Sequence, residues 1–156
     1  MWTLIDSPVG PLRLVTDGEA VTAIEFSPFA EVEPGERADD HPLLTACATQ
    51  LGEYFAGERT DFDLPLAPRG TDFQVRVWEQ LRRIGFGETA TYGALAARLG
   101  LTGHGARAVG LANGRNPIPI VIPCHRVVGA DGTLTGYAGG LDRKQTLLTL
   151  EGASLF

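Results

Sequence analysis

A chain of 156 residues, 44% hydrophobic and 21% charged, has the composition of a soluble globular protein of one compact domain or two small ones sharing an interface. No apolar run approaches the ~20 residues that cross a bilayer, and the start, MWTLIDSPVG, lacks the basic end and apolar core of a signal peptide, so no membrane partner is expected. Two cysteines without CxxC spacing, Cys47 and Cys124, could form one disulfide, but a reduced, cytoplasmic protein is the better reading, and nothing in the Cys and His count suggests a structural zinc site.

The net charge of −6 argues against a polyanion partner only until it is divided along the chain. Residues 1–68 hold three Arg against thirteen acids, and residues 69–156 hold nine Arg and one Lys against six, so the halves carry −10 and +4. Such asymmetry fits a polyanion-binding surface on the basic half, or merely two differently solvated faces. Charge alone does not choose.

In chain order, WTLIDS, PLRLVTDG and AVTAIEFS alternate apolar and polar residues between the turn signals VGP and DGE, which predicts a short antiparallel sheet. A polar, proline-bearing loop over residues 28–40 follows. HPLLTACATQLGEYFAGE then places Leu44, Ala48, Leu51 and Phe55 on one helical face, with Gly57 as the stop and Cys47 as a small buried residue. DFDLPLAPRG predicts a last edge strand and a linker, where the charge changes sign. Beyond it, Thr71 and Asp72 can cap a helix whose Phe73, Val77, Trp78, Leu81 and Ile84 face a core. IGFGE breaks that helix. Thr89 or Thr91 starts a second, TYGALAARLG, ended by Gly100, and ARAVGLANGR forms a third, ended at Asn116-Pro117. Two short helices joined by a glycine-bearing turn are a helix-turn-helix in outline. On the third helix Arg107, Gly110 and Gly114 share a face, either for packing against a neighbouring helix or for close approach of a partner such as a DNA groove.

PIPIVIP, rich in β-branched residues and punctuated by proline, predicts an extended segment with Cys124 at its end. In IPCHRVV the thiol is followed at once by an imidazole and a guanidinium. A thiol of ordinary pKa near 8.5 is only a few per cent ionised at neutral pH, and a histidine oriented by an acid can activate it. Neighbours in an extended chain point opposite ways, so His125 reaches Cys124 only if the chain turns there or through a water.

PIPIVIPCHRVVGADGTLTGYAGGLDRKQTLLTLEG resembles the active-site segment of the O6-alkylguanine-DNA alkyltransferases, and the similarity extends upstream through RAVGLANGRNP and RGTDFQVRVWEQLRRIGFGETATYGALAARLG. It covers about residues 69–152; the acidic half matches only in outline. The resemblance implies two domains. Residues 1–68 would form an α/β domain of ribonuclease-H-like type with a small antiparallel sheet. Residues 69–156 would form a mostly helical, winged-helix-like domain that binds DNA and accepts the alkyl group. It also implies single-turnover repair, in which Cys124 takes an alkyl group from guanine O6 and keeps it; O4-alkylthymine is left open.

On the same resemblance, His125 is the water-linked base, Glu151 orders it, Asn116 braces the turn, and Tyr92 crowds a phosphate and helps protonate the leaving guanine. Arg107 fills the gap left by a flipped base, with further DNA contacts at Tyr92, Ala106, Gly110, Arg115 and Arg126. Val127, Tyr137 and Gly139 line the base pocket. No cofactor and no metal are implied. The partner is duplex DNA with alkylated guanine, met in the minor groove with little sequence preference by a monomer. IGFG departs from the family's Ile-Pro-Tyr-Gly, which predicts a looser turn before Tyr92, and His104 is expected to be a solvated loop residue. Two rivals remain in view. One is a lesion-binding module without transfer, which the presence of Cys124 opposes; the other is a Cys–His hydrolase, which would need an oxyanion hole.

Overall fold

The structure, a computed structural model, describes residues 1–132, 134 and 136–153. Its contacts divide the chain into two compact units, Met1–Arg69 and Gly70–Phe156.

In the first unit, β1 (Trp2–Ile5), β2 (Leu12–Thr16) and β3 (Val21–Phe26) form an antiparallel sheet in the order β1-β2-β3, as the alternation predicts. The Asp-Gly turn before β3 is closed by the Asp17 carboxylate, which accepts the backbone N–H groups of Glu19 and Ala20, each at 2.9 Å. The central strand is buried along its whole length, Arg13 included. That guanidinium is held by Glu25 at 2.6 Å and lies over the Trp2 and Phe29 rings. Helix α1 (Pro42–Phe55) buries Leu44, Cys47, Leu51 and Tyr54, not Ala48 and Phe55, so its inward stripe follows i, i+3, i+7, i+10. The expected edge strand in DFDLPLAPRG shrinks to one bridge, Val21 with Leu66, because Pro65 and Pro68 on either side lack the N–H a ladder needs.

The second unit is mostly helical. Helix α2 (Asp72–Leu81) opens on a full capping box, in which the Thr71 side chain accepts from Gln74 N–H and the Gln74 side chain accepts from Thr71 N–H. It buries Val77, Trp78 and Leu81, and the Trp78 indole donates to the Ala112 carbonyl at 2.8 Å. Strand β4 (Ala90–Thr91) leads into α3 (Tyr92–Arg98), capped by Thr91, and α4 (Gly105–Gly114) completes the helix-turn-helix. β4 pairs in parallel with β5 (Val127–Val128), matching Ala90 to Val127 and Thr91 to Val128. This two-residue ladder, which periodicity does not reveal, ties the start of α3 to the segment just after Cys124. Helix α5 (Leu141–Leu150) buries Lys144, Leu147 and Leu148. No helix among the described residues is long and apolar enough to cross a membrane.

The glycines of α4 differ in kind. A Cβ on Gly105 would lie 2.7 Å from the Leu101 Cβ and 3.2 Å from that of Ala96, so the helix-turn-helix closes only because Gly105 has none. Gly105→Ala should therefore lower unfolding free energy by about 1–3 kcal/mol, the usual cost of overpacking. Gly114→Ala, whose added Cβ meets nothing within 4 Å, should leave stability unchanged or slightly raised in the same denaturant titration.

Candidate active site and nucleic-acid interface

The chain before Cys124 is not extended. Residues 117–122 form a buried turn, closed by the Ile122 N–H donating to Ile118 O at 2.9 Å. Asn116 holds it from inside: its Oδ1 accepts from Ile118 N–H at 3.0 Å and its Nδ2 donates to Ile122 O at 2.8 Å. Ile120 sits at φ +75°, a left-handed conformation that costs a β-branched residue on the order of 1–3 kcal/mol. The segment accepts this because Ile118, Ile120 and Ile122 are all buried together. β-branched residues in a row therefore mark apolar packing here, and prolines that lack donors favour a turn over a ladder.

The chain turns again at Cys124. Residues Cys124–Arg126 form one 3-10 turn, which swings the His125 and Arg126 side chains inward. His125 Nε2 lies 2.7 Å from Glu151 Oε2 at the end of α5. Arg126 grips the same carboxylate with two bonds, Nε to Oε1 at 2.8 Å and Nη2 to Oε2 at 3.0 Å, and donates Nη1 to Ile84 O at 2.6 Å. A carboxylate paired with Arg accepts, so Nε2 carries the imidazole proton and Nδ1 is left as a lone pair. That Nδ1 is buried and has no hydrogen-bond partner among the described residues. Burial, the leading influence, pulls the imidazole below its ordinary 6.5 against the opposing pull of Glu151, so His125 is neutral at physiological pH.

Around the thiol, opposing effects meet. Burial pushes the Cys124 thiol above its ordinary value, while the nearby polar side chains of Asn116 and Tyr137 and the charge of Lys144 pull it down. Lys144 is wholly enclosed, donates to Val127 O at 2.6 Å, and is drawn down by burial to about 8. Asn113, also buried, reaches the Cys124 carbonyl through Nδ2 at 3.3 Å. The resting group is thus a thiol whose thiolate is prepared for by nearby donors and an ammonium. Cys47 has no such company; burial alone drives it to about 12.

Tyr92, Ala106, Arg107 and Gly110 come together elsewhere, lining one open cleft of ≈ 430 Å³ with Leu111 and Gly136. A Cβ on Gly110 would sit 3.7 Å from the Tyr92 ring, an ordinary contact, and one on Gly114 would meet nothing. Packing within the protein therefore does not require glycine at either position. Arg115 is not in this group. It lines a second cleft of ≈ 440 Å³ with Thr71, Phe73 and Gln74 along the other side of α4.

Two sequence expectations need correction. Arg126 is only 6% exposed, its guanidinium taken up by Glu151 and Ile84 O, so it is an internal strut and not a DNA contact. The IGFG turn is not loose: Arg126 bonds Ile84 at its start and lies over the Phe86 ring at 6.0 Å, and Gly87 supplies φ +79°. Val127 is fully buried, with its carbonyl taken by Lys144, and the Gly139 carbonyl accepts from Arg143 at 3.3 Å. His104 is exposed at the N-cap of α4 and makes no capping bond. Lys144, Asn113 and Leu111 escaped the sequence reading. One signal for Lys144 was available, since Lys144, Leu147, Leu148 and Glu151 fall on a single face of α5.

Because Arg126 and Glu151 are both enclosed, Arg126→Ala should cost about 3–5 kcal/mol of stability by stranding the carboxylate, whereas the exposed Arg115→Ala should change it by no more than about 0.5 kcal/mol. Chemical denaturation of the two variants checks the assignment of Arg126.

Comparison with known proteins agrees with this architecture. Residues 72–153 match the family described as 6-O-methylguanine DNA methyltransferase, DNA binding domain, and residues 1–68 match its ribonuclease-like domain. The methylated-DNA–protein-cysteine methyltransferase of Mycobacterium tuberculosis is 51% identical over 149 residues, covering 94% of this chain and 89% of that one. The protein of that name from Methanosarcina acetivorans is 47% identical over 154 residues, covering 97% and 98%. A crystal structure of the Mycobacterium tuberculosis OGT in complex with DNA superposes with a TM-score of 0.85 at 48% identity, covering 97% of this chain and 92% of that one. A thiol set among hydrogen-bond donors, beside a helix-turn-helix with an open glycine-bearing face, thus stands in a chain that belongs to the 6-O-methylguanine DNA methyltransferase family.

Proposed function

We propose that this protein repairs DNA by moving the alkyl group of an O6-alkylguanine onto Cys124, once per molecule. The observation that carries the assignment to Cys124 is its surroundings: Asn116 clasping the turn before it, Asn113 on its carbonyl, Lys144 enclosed nearby, and the His125–Glu151 pair on the same turn. The C–O6 bond breaks as the S–C bond forms, and the thiol proton is the one that guanine finally carries. His125 Nδ1 takes that proton through a water, Glu151 holding the imidazole in the tautomer that exposes the lone pair. The Lys144 ammonium favours the thiolate as it develops, and Tyr92 assists protonation of the departing guanine. Tyr137, Gly139 and the Val127 backbone border the base.

An O6 atom inside a duplex is beyond the reach of a buried thiol, so the nucleotide must leave the stack. The second unit does this work. The α4 face enters the minor groove, Arg107 takes the space of the flipped base, and Tyr92, Ala106 and Gly110 press the adjoining strand, while Arg115 meets a phosphate. Backbone contacts dominate, so sequence preference is slight and the protein acts as a monomer. The DNA-binding half, residues 69–156, carries +4 by itself, which reconciles the net charge of −6 with a DNA partner.

Intact mass spectrometry after incubation with an O6-methylguanine duplex tests the proposal. One methyl per protein is expected, mapping to Cys124 and absent in Cys124→Ser; an adduct on Cys47 overturns the assignment. No adduct with retained binding would mean a lesion-binding module, and many turnovers a hydrolase.

The pH dependence follows from the depressed imidazole. Neutral His125 is the active form, and it persists down to its lowered pKa, so the single-turnover rate should hold its plateau through pH 6.5 and decline only below it. Folding stability has the same sign: His125 contributes fully above 6.5, and the contribution is lost as pH falls through the depressed value. A rate that is already half lost at 6.5 or above contradicts a buried base.

A further inference from the structure

Helix α4 carries Arg107, Leu111 and Arg115 at i, i+4 and i+8, with Arg115 at the C-cap close to the helical track (φ −98°, ψ 3°). Each step of four residues displaces the next member by about 40° around the axis and about 6 Å along it. Leu111 therefore lies midway between the two arginines. All three side chains are open to solvent, Leu111 at 68%. It borders both clefts, the Tyr92–Arg107 cleft on one side of α4 and the Thr71–Arg115 cleft on the other, and so forms the ridge between them. Helix α4 bears no acid, and Gly110 and Gly114 leave the ridge uncrowded on the protein side.

We infer that Leu111 is an apolar wedge of the DNA interface. It enters the minor groove between the two strands and bears on the base step beside the flipped nucleotide, with Arg107 in the gap and Arg115 against the backbone of the opposite strand. This rests on the DNA-repair reading above. The surface complements that occupant: cations on both flanks match two phosphate backbones, and the apolar ridge matches the sugar walls and base edges between them. The groove is only about 6 Å wide in ordinary duplex DNA, and apolar side chains that enter it unstack a step and open it. A second copy of this chain or another protein would have to carry anions on both sides of an apolar ridge to fit as well.

The test compares wild type, Leu111→Ala, Leu111→Met and Arg107→Ala in single-turnover transfer from free O6-benzylguanine, from O6-methylguanine in single-stranded DNA and from O6-methylguanine in a matched duplex. Leu111→Ala is expected to lose about tenfold more rate on the duplex than on the free base, a fraction of the few kcal/mol needed to unstack one step. The single strand, with no stack to open, should lose much less, and Leu111→Met should recover most of the duplex rate. 2-Aminopurine placed beside the lesion should brighten when wild type binds and respond less with Leu111→Ala. Equal losses on all three substrates would make Leu111 a support of the fold, and no loss on any would assign its exposure to another partner; either result overturns the wedge. Failure of wild type to become alkylated on any substrate would instead overturn the transferase reading beneath it.

Discussion

The enclosed carboxylate of Glu151 is the contact on which the site is assembled. It sits at the C-terminal end of α5 and receives both His125 and Arg126, two consecutive side chains of the turn that begins at Cys124. One buried charge thus fixes three things: the packing of α5 against the nucleophile's turn, the tautomer of the imidazole, and the inward course of the chain after Cys124. Burying a carboxylate is costly unless it is paired and fully hydrogen-bonded. The Arg126 fork supplies the pairing and adds a tie to Ile84 across 42 residues of sequence. The same face of α5 brings Lys144 to the Val127 carbonyl, so Cys124, His125 and Lys144 are arranged around one supporting element.

Reactivity at Cys124 is a balance of opposing terms. Enclosure raises the thiol's pKa and would leave it inert, as it leaves Cys47. What separates the two cysteines is the company each keeps: an amide, a phenol and an ammonium around Cys124, and nothing comparable around Cys47. A thiol protonated at rest also suits a protein that is used up by one reaction, since stray electrophiles meet little thiolate. Holding such groups in place requires strain, visible in Ile120 at positive φ within a turn that Asn116 clasps from both ends.

The helix-turn-helix follows a different logic. Gly105 is demanded by the fold, whereas a Cβ at Gly110 would make only an ordinary contact and one at Gly114 none within 4 Å. The β4–β5 ladder then joins recognition to chemistry: Thr91 caps the helix that begins with Tyr92 and pairs with Val128, four residues beyond the nucleophile. Two residues of backbone pairing thereby tie the start of α3 to the turn at Cys124.

Local physics was legible from the sequence. Alternation marked the three strands, Thr71 announced its helix and Thr89 or Thr91 the next, Gly57 and Gly100 ended theirs, and the run around PCHRV carried the family. Each depends on residues a few positions apart, and short-range patterns record such constraints directly. Misreadings arose where distant groups decide. PIPIVIP has strand composition, yet Asn116 and shared apolar burial fold it into a turn. Arg126, beside a nucleophile in a basic half, looks like a phosphate contact until Glu151, 25 residues on, turns it inward. Lys144 reads as a surface lysine in a polar helix until α5 packs that face on the active turn. The sequence by itself determined which residues could react and where helices and strands begin. Only the tertiary structure decided which charges are buried, because desolvation depends on what the rest of the chain places around a group, and no local pattern encodes that.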